Sequence, residues 1–180
     1  MQVREDPKRA GIYFVATFRG DVLRVERLEV TFKVRTVLSL ASAKIGWMYS
    51  IALHPQFESG KPNTNRMFVF YRSHDEAKRK FYRVSAFPIT DEYPAEAMDE
   101  EVLIEQEIGH YEHLGGAIEF DNDGFLLIAV GDNGLYNDLS ENSQKIDKSL
   151  LSGVLRNDVD CKGGLVSRRQ GSYPVGAKKG

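Results

Sequence analysis

The sequence lacks several features that would assign a function class at once. Its single cysteine, Cys161, cannot form an internal disulfide, although this leaves the cellular compartment open. No apolar run approaches the roughly 20 residues of a membrane-spanning helix, and residues 1–9 lack the apolar core of a secretory signal. We therefore expect no membrane span and no signal peptide in this chain. Either the protein stays inside the cell, or its true start lies upstream.

Charge of either sign is not concentrated anywhere in the sequence. The 180 residues include 24 lysines and arginines and 26 aspartates and glutamates, which gives a formal net charge of −2. Because no basic block is present, the sequence argues against a nucleic-acid partner. Hydrophobic residues at 42% and charged residues at 28% are typical of an ordinary folded globular domain.

What the sequence does contain is a series of short segments rich in β-branched and aromatic residues, separated by turn residues. No segment sustains an apolar period of 3.6 residues, so long helices are not predicted. Residues 139–150 are an exception and fit either a helical turn or two, or a loop. The sequence predicts an all-β protein of about ten strands, at residues 12–18, 22–25, 30–37, 48–53, 67–71, 81–87, 101–104, 117–120, 125–130 and 151–159.

One pattern of strand, turn and apolar strand occurs twice. Residues 50–55 and 117–122 each read as a strand that ends in a turn, and an apolar strand follows each of them. The first isoleucines of the two units, Ile51 and Ile118, are 67 residues apart. Such repeats are typical of the blades of a β-propeller. A β-sandwich also contains many short strands, so the pattern alone leaves that alternative open.

Several familiar site motifs lack a residue that their chemistry requires. Residues 119–130 resemble a calcium-binding loop, but Val130 stands where a bidentate glutamate is needed, so a hairpin turn is predicted there. Residues 171–176 have the glycine spacing of a phosphate-binding loop, but Ala177 replaces its essential lysine. No metal ligand is therefore predicted within this chain.

One histidine and one aspartate remain as candidates for chemistry. His113 precedes two glycines and Asp132 follows Gly131, with a predicted two-stranded hairpin between them. A hairpin returns its two ends to the same edge of a sheet, where a carboxylate can orient an imidazole that accepts a proton near pH 7. A histidine beside glycines is more often a turn residue than a base. The spacing by itself leaves both interpretations open.

Motifs along nearly the whole chain resemble, in order, those of the soluble glucose/sorbosone (aldose sugar) dehydrogenases that depend on pyrroloquinoline quinone (PQQ). Residues 46–57 resemble the family's Gly-Leu-Leu-Gly-Ile-Ala-x-His-Pro-x-Phe segment, and His113 begins a match to its His-Asn-Gly-Gly stretch. Residues 120–134 resemble Phe-x-x-Asp-Gly-x-Leu-Tyr-Ile-x-x-Gly-Asp-x-Gly. Further matches follow at residues 143–146, 149–156, 158–160 and 173–175.

The resemblance implies a fold and a chemistry. The expected fold is a six-bladed β-propeller, of which residues 1–180 would form about the first half, an incomplete ring truncated at its C-terminus. The expected reaction is oxidation of an aldose sugar to its lactone with PQQ as the hydride acceptor and calcium as a Lewis acid. Electrons would then pass to an external acceptor such as a cytochrome or a quinone, and the protein would be periplasmic or secreted.

The resemblance also implies roles for individual residues. His113 falls on the general base that removes the sugar hydroxyl proton, and Asp132 falls on the carboxylate that supports it. Glu112 and Asn137 fall where the family places polar groups near the cofactor. His54 belongs to a His-Pro at a strand end and is interpreted as structural.

Some features depart from the family. Asn157 replaces an aliphatic residue that is expected in a strand core. The arginines and lysine that anchor the cofactor in the family, and its calcium ligands, lie beyond this chain. We therefore expect the chain to be a fragment that is inactive alone. The alternative function is that of a non-catalytic, protein-binding propeller of the same superfamily, although a binding surface has no need for both His113 and Asp132.

Overall fold

The computed structural model describes residues 1–40, 45–110, 112–134, 138–144, 149–160 and 172–173. Their regular secondary structure is almost entirely β-strand. Short 3-10 turns occur at Ala97–Asp99 and Asn142–Gln144. No helix in the described ranges is long and apolar enough to cross a membrane. The strands are β1 (Gln2–Glu5), β2 (Ile12–Ala16), β3 (Asp21–Arg27), β4 (Phe32–Ser39), β5 (Ile45–Leu53), β6 (Arg66–His74), β7 (Lys80–Pro88), β8 (Ala95–Glu96), β9 (Glu101–Ile108), β10 (Gly115–Phe120), β11 (Leu126–Val130), β12 (Gly153–Asn157) and β13 (Ser172–Tyr173).

These strands form three sheets that follow one another along the chain. The first sheet has the order β1-β2-β3-β4-β8, the second β5-β6-β7-β9 and the third β10-β11-β12-β13. All neighbouring strands are antiparallel except β8, which pairs in parallel with β4. Successive four-stranded antiparallel meanders, the first extended at its edge by β8, are the blades of a propeller and not the two facing sheets of a sandwich. The prediction of an all-β, partial propeller is confirmed.

The second sheet is buried on both faces. Along β6, Met67, Val69 and Tyr71 pack in the cluster shared with the first sheet. Phe68 and Phe70, which alternate with them, pack in the cluster shared with the third sheet. Successive side chains of a strand point to opposite faces, so a strand with two buried faces must be continuously apolar. This explains the unbroken run of large apolar residues in β6.

Arg4 of β1 joins the first strands of all three sheets. Its Nε donates to the carbonyl oxygen of Ile51 in β5 at 3.2 Å, and its Nη2 donates to that of Ile118 in β10 at 3.1 Å. Its Nη1 lies 2.5 Å from the Glu119 carboxylate. A second link is the amide of Ile51, which donates to the side-chain oxygen of Gln2 at 2.6 Å. Ile51 and Ile118 are the equivalent positions of the sequence repeat, so one guanidinium bridges the two repeats.

The sequence analysis missed β1 and misplaced several boundaries. Residues 1–9 are polar because β1 is half exposed, so they carry no strand pattern. The strand predicted at residues 101–104 continues to Ile108. The expectation that Asn157 sits in a strand core was wrong, because it is the half-buried last residue of β12. Within residues 139–150, the described part contains one 3-10 turn, Asn142–Gln144.

Replacing Arg4 by methionine should lower the free energy of unfolding by about 1–3 kcal/mol, because the carbonyls of the buried residues Ile51 and Ile118 lose a charged donor. Urea denaturation followed by circular dichroism measures this change. Arg27→Met is the matched control, since Arg27 is exposed at the end of β3 and its loss should cost at most about 0.5 kcal/mol. Equal effects of the two substitutions would show that Arg4 does not hold the sheets together.

Candidate active site

The β10–β11 hairpin brings His113 and Asp132 to one edge of the third sheet. Gly115 pairs with Val130 at the open end of the hairpin, so the residues just outside it face each other. His113 Nδ1 lies 3.4 Å from Asp132 Oδ1, and the two side chains are 50% and 25% exposed. This separation exceeds the usual hydrogen-bond range, but catalytic hydrogen bonds often shorten only once substrate is bound.

The glycines after His113 allow two strands to approach closely. Gly115 and Gly116 have φ values of +70° and +101°, which glycine tolerates best. A Cβ on Gly116 would lie 2.8 Å from the Cβ of Tyr49 in β5, and Ser50 donates a hydrogen bond to the Gly116 carbonyl. A Cβ on Gly115 would lie 2.9 Å from the Ala129 carbonyl oxygen. These glycines therefore accommodate the close approach of the protein's own strands.

The backbone on both sides of the hairpin fixes the path of the loop that carries His113. The amide of Gly131 donates to the Leu114 carbonyl at 2.8 Å, and the amide of Asn133 donates to the His113 carbonyl at 3.1 Å. His113 itself has a φ of +52°. The histidine is thus held by main-chain contacts while its imidazole projects toward solvent.

Asp132 is held from its own side of the site. Its Oδ1, the oxygen nearest His113, also accepts a hydrogen bond from the Gly134 amide at 3.1 Å. Its carbonyl accepts one from the side chain of Asn142 at 2.6 Å. Asn142 lies in the region predicted only as a turn or loop, and no sequence signal distinguished it.

Of the two candidates for cofactor contact, only Glu112 lies within the described residues. The Glu112 side chain is exposed, and its backbone carbonyl accepts a hydrogen bond from the Asn133 side chain at 3.2 Å. Asn137 lies outside the described residues. The proposed roles of Glu112, Asn137, His113 and Asp132 in cofactor binding and catalysis stay predictions.

A second histidine–carboxylate pair occurs elsewhere, and its environment differs. His54 is only 2% exposed, and its Nε2 lies 3.1 Å from the Asp160 carboxylate. Its Nδ1 accepts a hydrogen bond from the amide of Gln56 at 3.0 Å, so the proton of the neutral ring sits on Nε2. The ring contacts Phe68 and Phe120. With both nitrogens engaged and its surface buried, His54 fits the structural interpretation.

The segment that resembles a calcium loop forms the closed end of the same hairpin. Asp121 Oδ1 accepts hydrogen bonds from the amides of Asp123 and Phe125, at 3.0 and 2.9 Å, as in a tight turn. A hydrogen bond from Arg156 lowers the pKa of the Asp121 carboxyl below its ordinary value. Across the described ranges, no three His, Cys, Asp or Glu side chains converge to hold a metal ion. The predicted hairpin turn is confirmed.

Replacing Gly131 by alanine should move the His113 loop, because the added Cβ would lie 1.9 Å from the His113 carbonyl oxygen. Overpacking of this kind should cost about 1–3 kcal/mol of unfolding free energy. It should also shift the amide resonances of His113 and Asn133 in a ¹H–¹⁵N spectrum. The matched control is Gly153→Ala in the adjacent strand, where a Cβ meets nothing within 4 Å. Unchanged His113 and Asn133 resonances in the Gly131 variant would contradict this account of the loop.

Solved structures of sugar dehydrogenases share this fold. One glucose dehydrogenase superposes with a TM-score of 0.68 at 17% identity, covering 96% of this chain and 48% of its own. The apo-form soluble aldose sugar dehydrogenase of Escherichia coli gives 0.60 at 17% identity, with 86% and 46% covered. The PQQ-bound aldose sugar dehydrogenase of Streptomyces coelicolor gives 0.65 at 21% identity, with 92% and 47% covered. The chain therefore spans about half the length of these proteins.

The family assignment comes from the sequence. The glucose/sorbosone dehydrogenase family model matches residues 6–160, which include both members of the His113–Asp132 pair. The matched region contains nearly all of the three sheets described above. The chain belongs to the glucose/sorbosone dehydrogenase family.

Proposed function

We propose that this chain contributes the general base of a PQQ-dependent dehydrogenase that oxidises an aldose to its lactone. The observation that carries the proposal is the half-exposed His113 imidazole with its Nδ1 3.4 Å from Asp132. Family membership supports it, as does the name of the Streptomyces coelicolor neighbour, an aldose sugar dehydrogenase in PQQ-bound form. Loss of the proton from the C1 hydroxyl of an aldose and of a hydride from C1 itself gives the lactone carbonyl.

In this proposal the two ring nitrogens of His113 have different tasks. A carboxylate beside Nδ1 favours the tautomer that carries its proton there, which leaves a lone pair on Nε2. The His113 side chain is 50% exposed, so Nε2 can be reached by a substrate. It is therefore available to accept the sugar hydroxyl proton. The resulting imidazolium would be stabilised by the neighbouring Asp132.

Residues at the same end of the sheets suit a planar, anionic cofactor. Tyr49, in the middle of β5, lies against Gly116 near the start of β10, and Trp47 precedes Tyr49 by two residues. The Trp47 side chain is half exposed, and the Arg72 guanidinium lies 4.3 Å from its ring centroid. An aromatic ring and a cation are suited to a flat molecule with carboxylates. When bound, PQQ supplies the hydride-accepting quinone.

The complete reaction would need a protein as long as the solved dehydrogenases, of which this chain spans about half. Calcium would act as the Lewis acid, with ligands outside the described residues. Electrons would leave to an external acceptor such as a cytochrome or a quinone, in a periplasmic or secreted protein. We further propose that the 180-residue chain is inactive by itself, because the residues that anchor the cofactor in the family follow the motifs matched here.

Activity measurements on the complete gene product, loaded with PQQ and calcium, test the base. His113→Gln should lower kcat for aldose oxidation by about 10²–10⁴-fold, the usual contribution of a general base. His110→Gln is the matched control, because His110 is an exposed histidine of the same loop. Dye reduction on a panel of aldoses measures both. Equal rates for the two variants would reject His113 as the base, and absence of turnover in the unaltered protein would favour the protein-binding alternative.

Cofactor binding can be followed without turnover. Trp47 is the only tryptophan of the 180-residue chain, so its fluorescence reports on this face alone. Added PQQ should quench Trp47 fluorescence in a saturable way, and Arg72→Met should raise the apparent Kd about tenfold if a charge-assisted contact is lost. NAD is the control cofactor and should not quench saturably. If PQQ leaves the fluorescence unchanged after correction for absorbance, the Trp47 and Arg72 side chains do not by themselves bind the cofactor.

A further inference from the structure

Asn133 has a buried polar side chain beside the two candidate catalytic residues, and the proposed reaction gives it no role. It is 3% exposed, follows Asp132 directly, and has a φ of +48°. Asparagine is among the few residues that adopt this left-handed conformation readily. We propose that Asn133 is a positioning residue that sets the His113 imidazole against the Asp132 carboxylate. The consequence of this positioning for catalysis rests on the proposed function, whereas the effect of Asn133 on the His113 ring does not.

The side-chain amide of Asn133 organises the loop that leads to His113. Its Oδ1 accepts hydrogen bonds from the amides of Gly109 at 3.0 Å and His110 at 3.5 Å. Its Nδ2 donates to the carbonyls of His110 at 2.5 Å and Glu112 at 3.2 Å. Only a side chain with both donor and acceptor can satisfy this set, and a carboxamide is the smallest that does.

The contacts of Asn133 hold both the residue before His113 and His113 itself. The Nδ2 bond holds the carbonyl of Glu112, immediately before His113. The backbone amide of Asn133 holds the carbonyl of His113 itself at 3.1 Å. Because Asn133 is also bonded covalently to Asp132, one residue fixes both sides of the 3.4 Å approach between imidazole and carboxylate. Loss of the Asn133 side-chain contacts should therefore change the distance between His113 Nδ1 and Asp132 Oδ1 more than it changes the pairing of the strands.

Two substitutions separate the side chain from the backbone conformation. Asn133→Gly keeps the left-handed φ available and removes the amide, so any effect comes from the lost side-chain contacts. Asn133→Asp keeps an acceptor for Gly109 but loses the donor to Glu112, and it serves if the glycine variant does not fold. Asn63→Gly is the matched control, because Asn63 is also left-handed, with a φ of +60°, and is exposed.

The ¹⁵N resonances of the His113 ring report which nitrogen carries the proton. This tautomer population would not change if Asn133 only stabilised the fold. In the unaltered 180-residue chain, Asp132 should favour the neutral tautomer with its proton on Nδ1. Asp132→Ala should reduce the population of that tautomer. Asn133→Gly should reduce it to the same level, Asn133→Asp partly, and Asn63→Gly not at all. In the active gene product, Asn133→Gly should lower kcat by about 10²-fold with little change in KM, as expected for a small misplacement of a base.

The outcomes distinguish this proposal from the proposed function. A tautomer population that changes in Asp132→Ala but not in Asn133→Gly would overturn the positioning role, whatever the thermal stability of the variants. No change in either variant would also overturn it, because the contact that Asn133 is proposed to set would then be absent in solution. If the tautomer shifts as expected but His113→Gln retains full activity, Asn133 positions His113 and the proposed base is wrong.

Discussion

The guanidinium of Arg4 connects the elements on which the rest of the structure depends. It reaches from β1 to the Ile51 and Ile118 carbonyls, on the first strands of the second and third sheets. A planar group with five donors in a fixed geometry can serve several carbonyls at once, which a lysine ammonium does less well. With the first strands held together, the sheets can pack side by side, and the two apolar clusters fill the spaces on either side of the second sheet.

The candidate active site depends on the same closeness of β5 and β10. Gly116 lies against Tyr49, which places the start of β10, and the loop before it, beside the exposed end of β5. His113 and Asp132 then follow from the pairing of β10 with β11. Their side chains stand on short loops held by hydrogen bonds to a rigid sheet, which is a common way to place catalytic groups. The exposed Trp47 and the imidazole consequently share one end of the blades.

Much of the fold and part of the site could be predicted from the sequence. The alternating apolar residues and the turn at Asp121 determine the β10–β11 hairpin, and a hairpin necessarily returns its ends to one place. From the sequence, Asn133 could be recognised only as a turn residue. Its partners are main-chain atoms of Gly109, His110 and Glu112, and every residue type offers such atoms, so no sequence pattern marks them. The strand β1 was missed for another reason: its residues are polar and half exposed, so they show no strand pattern, although the strand pairs with the nearby β2.

The sequence by itself determined the class of the fold, the repeat of its blades and the separation of His113 and Asp132 along the chain. These properties depend on side-chain alternation and local turn chemistry, which act between near neighbours. Only the tertiary structure decided that Arg4 spans three sheets, that Gly116 contacts β5 and that Asn133 is buried. Each of these is a contact between distant segments, and its energy depends on which atoms the packing brings within a few ångströms.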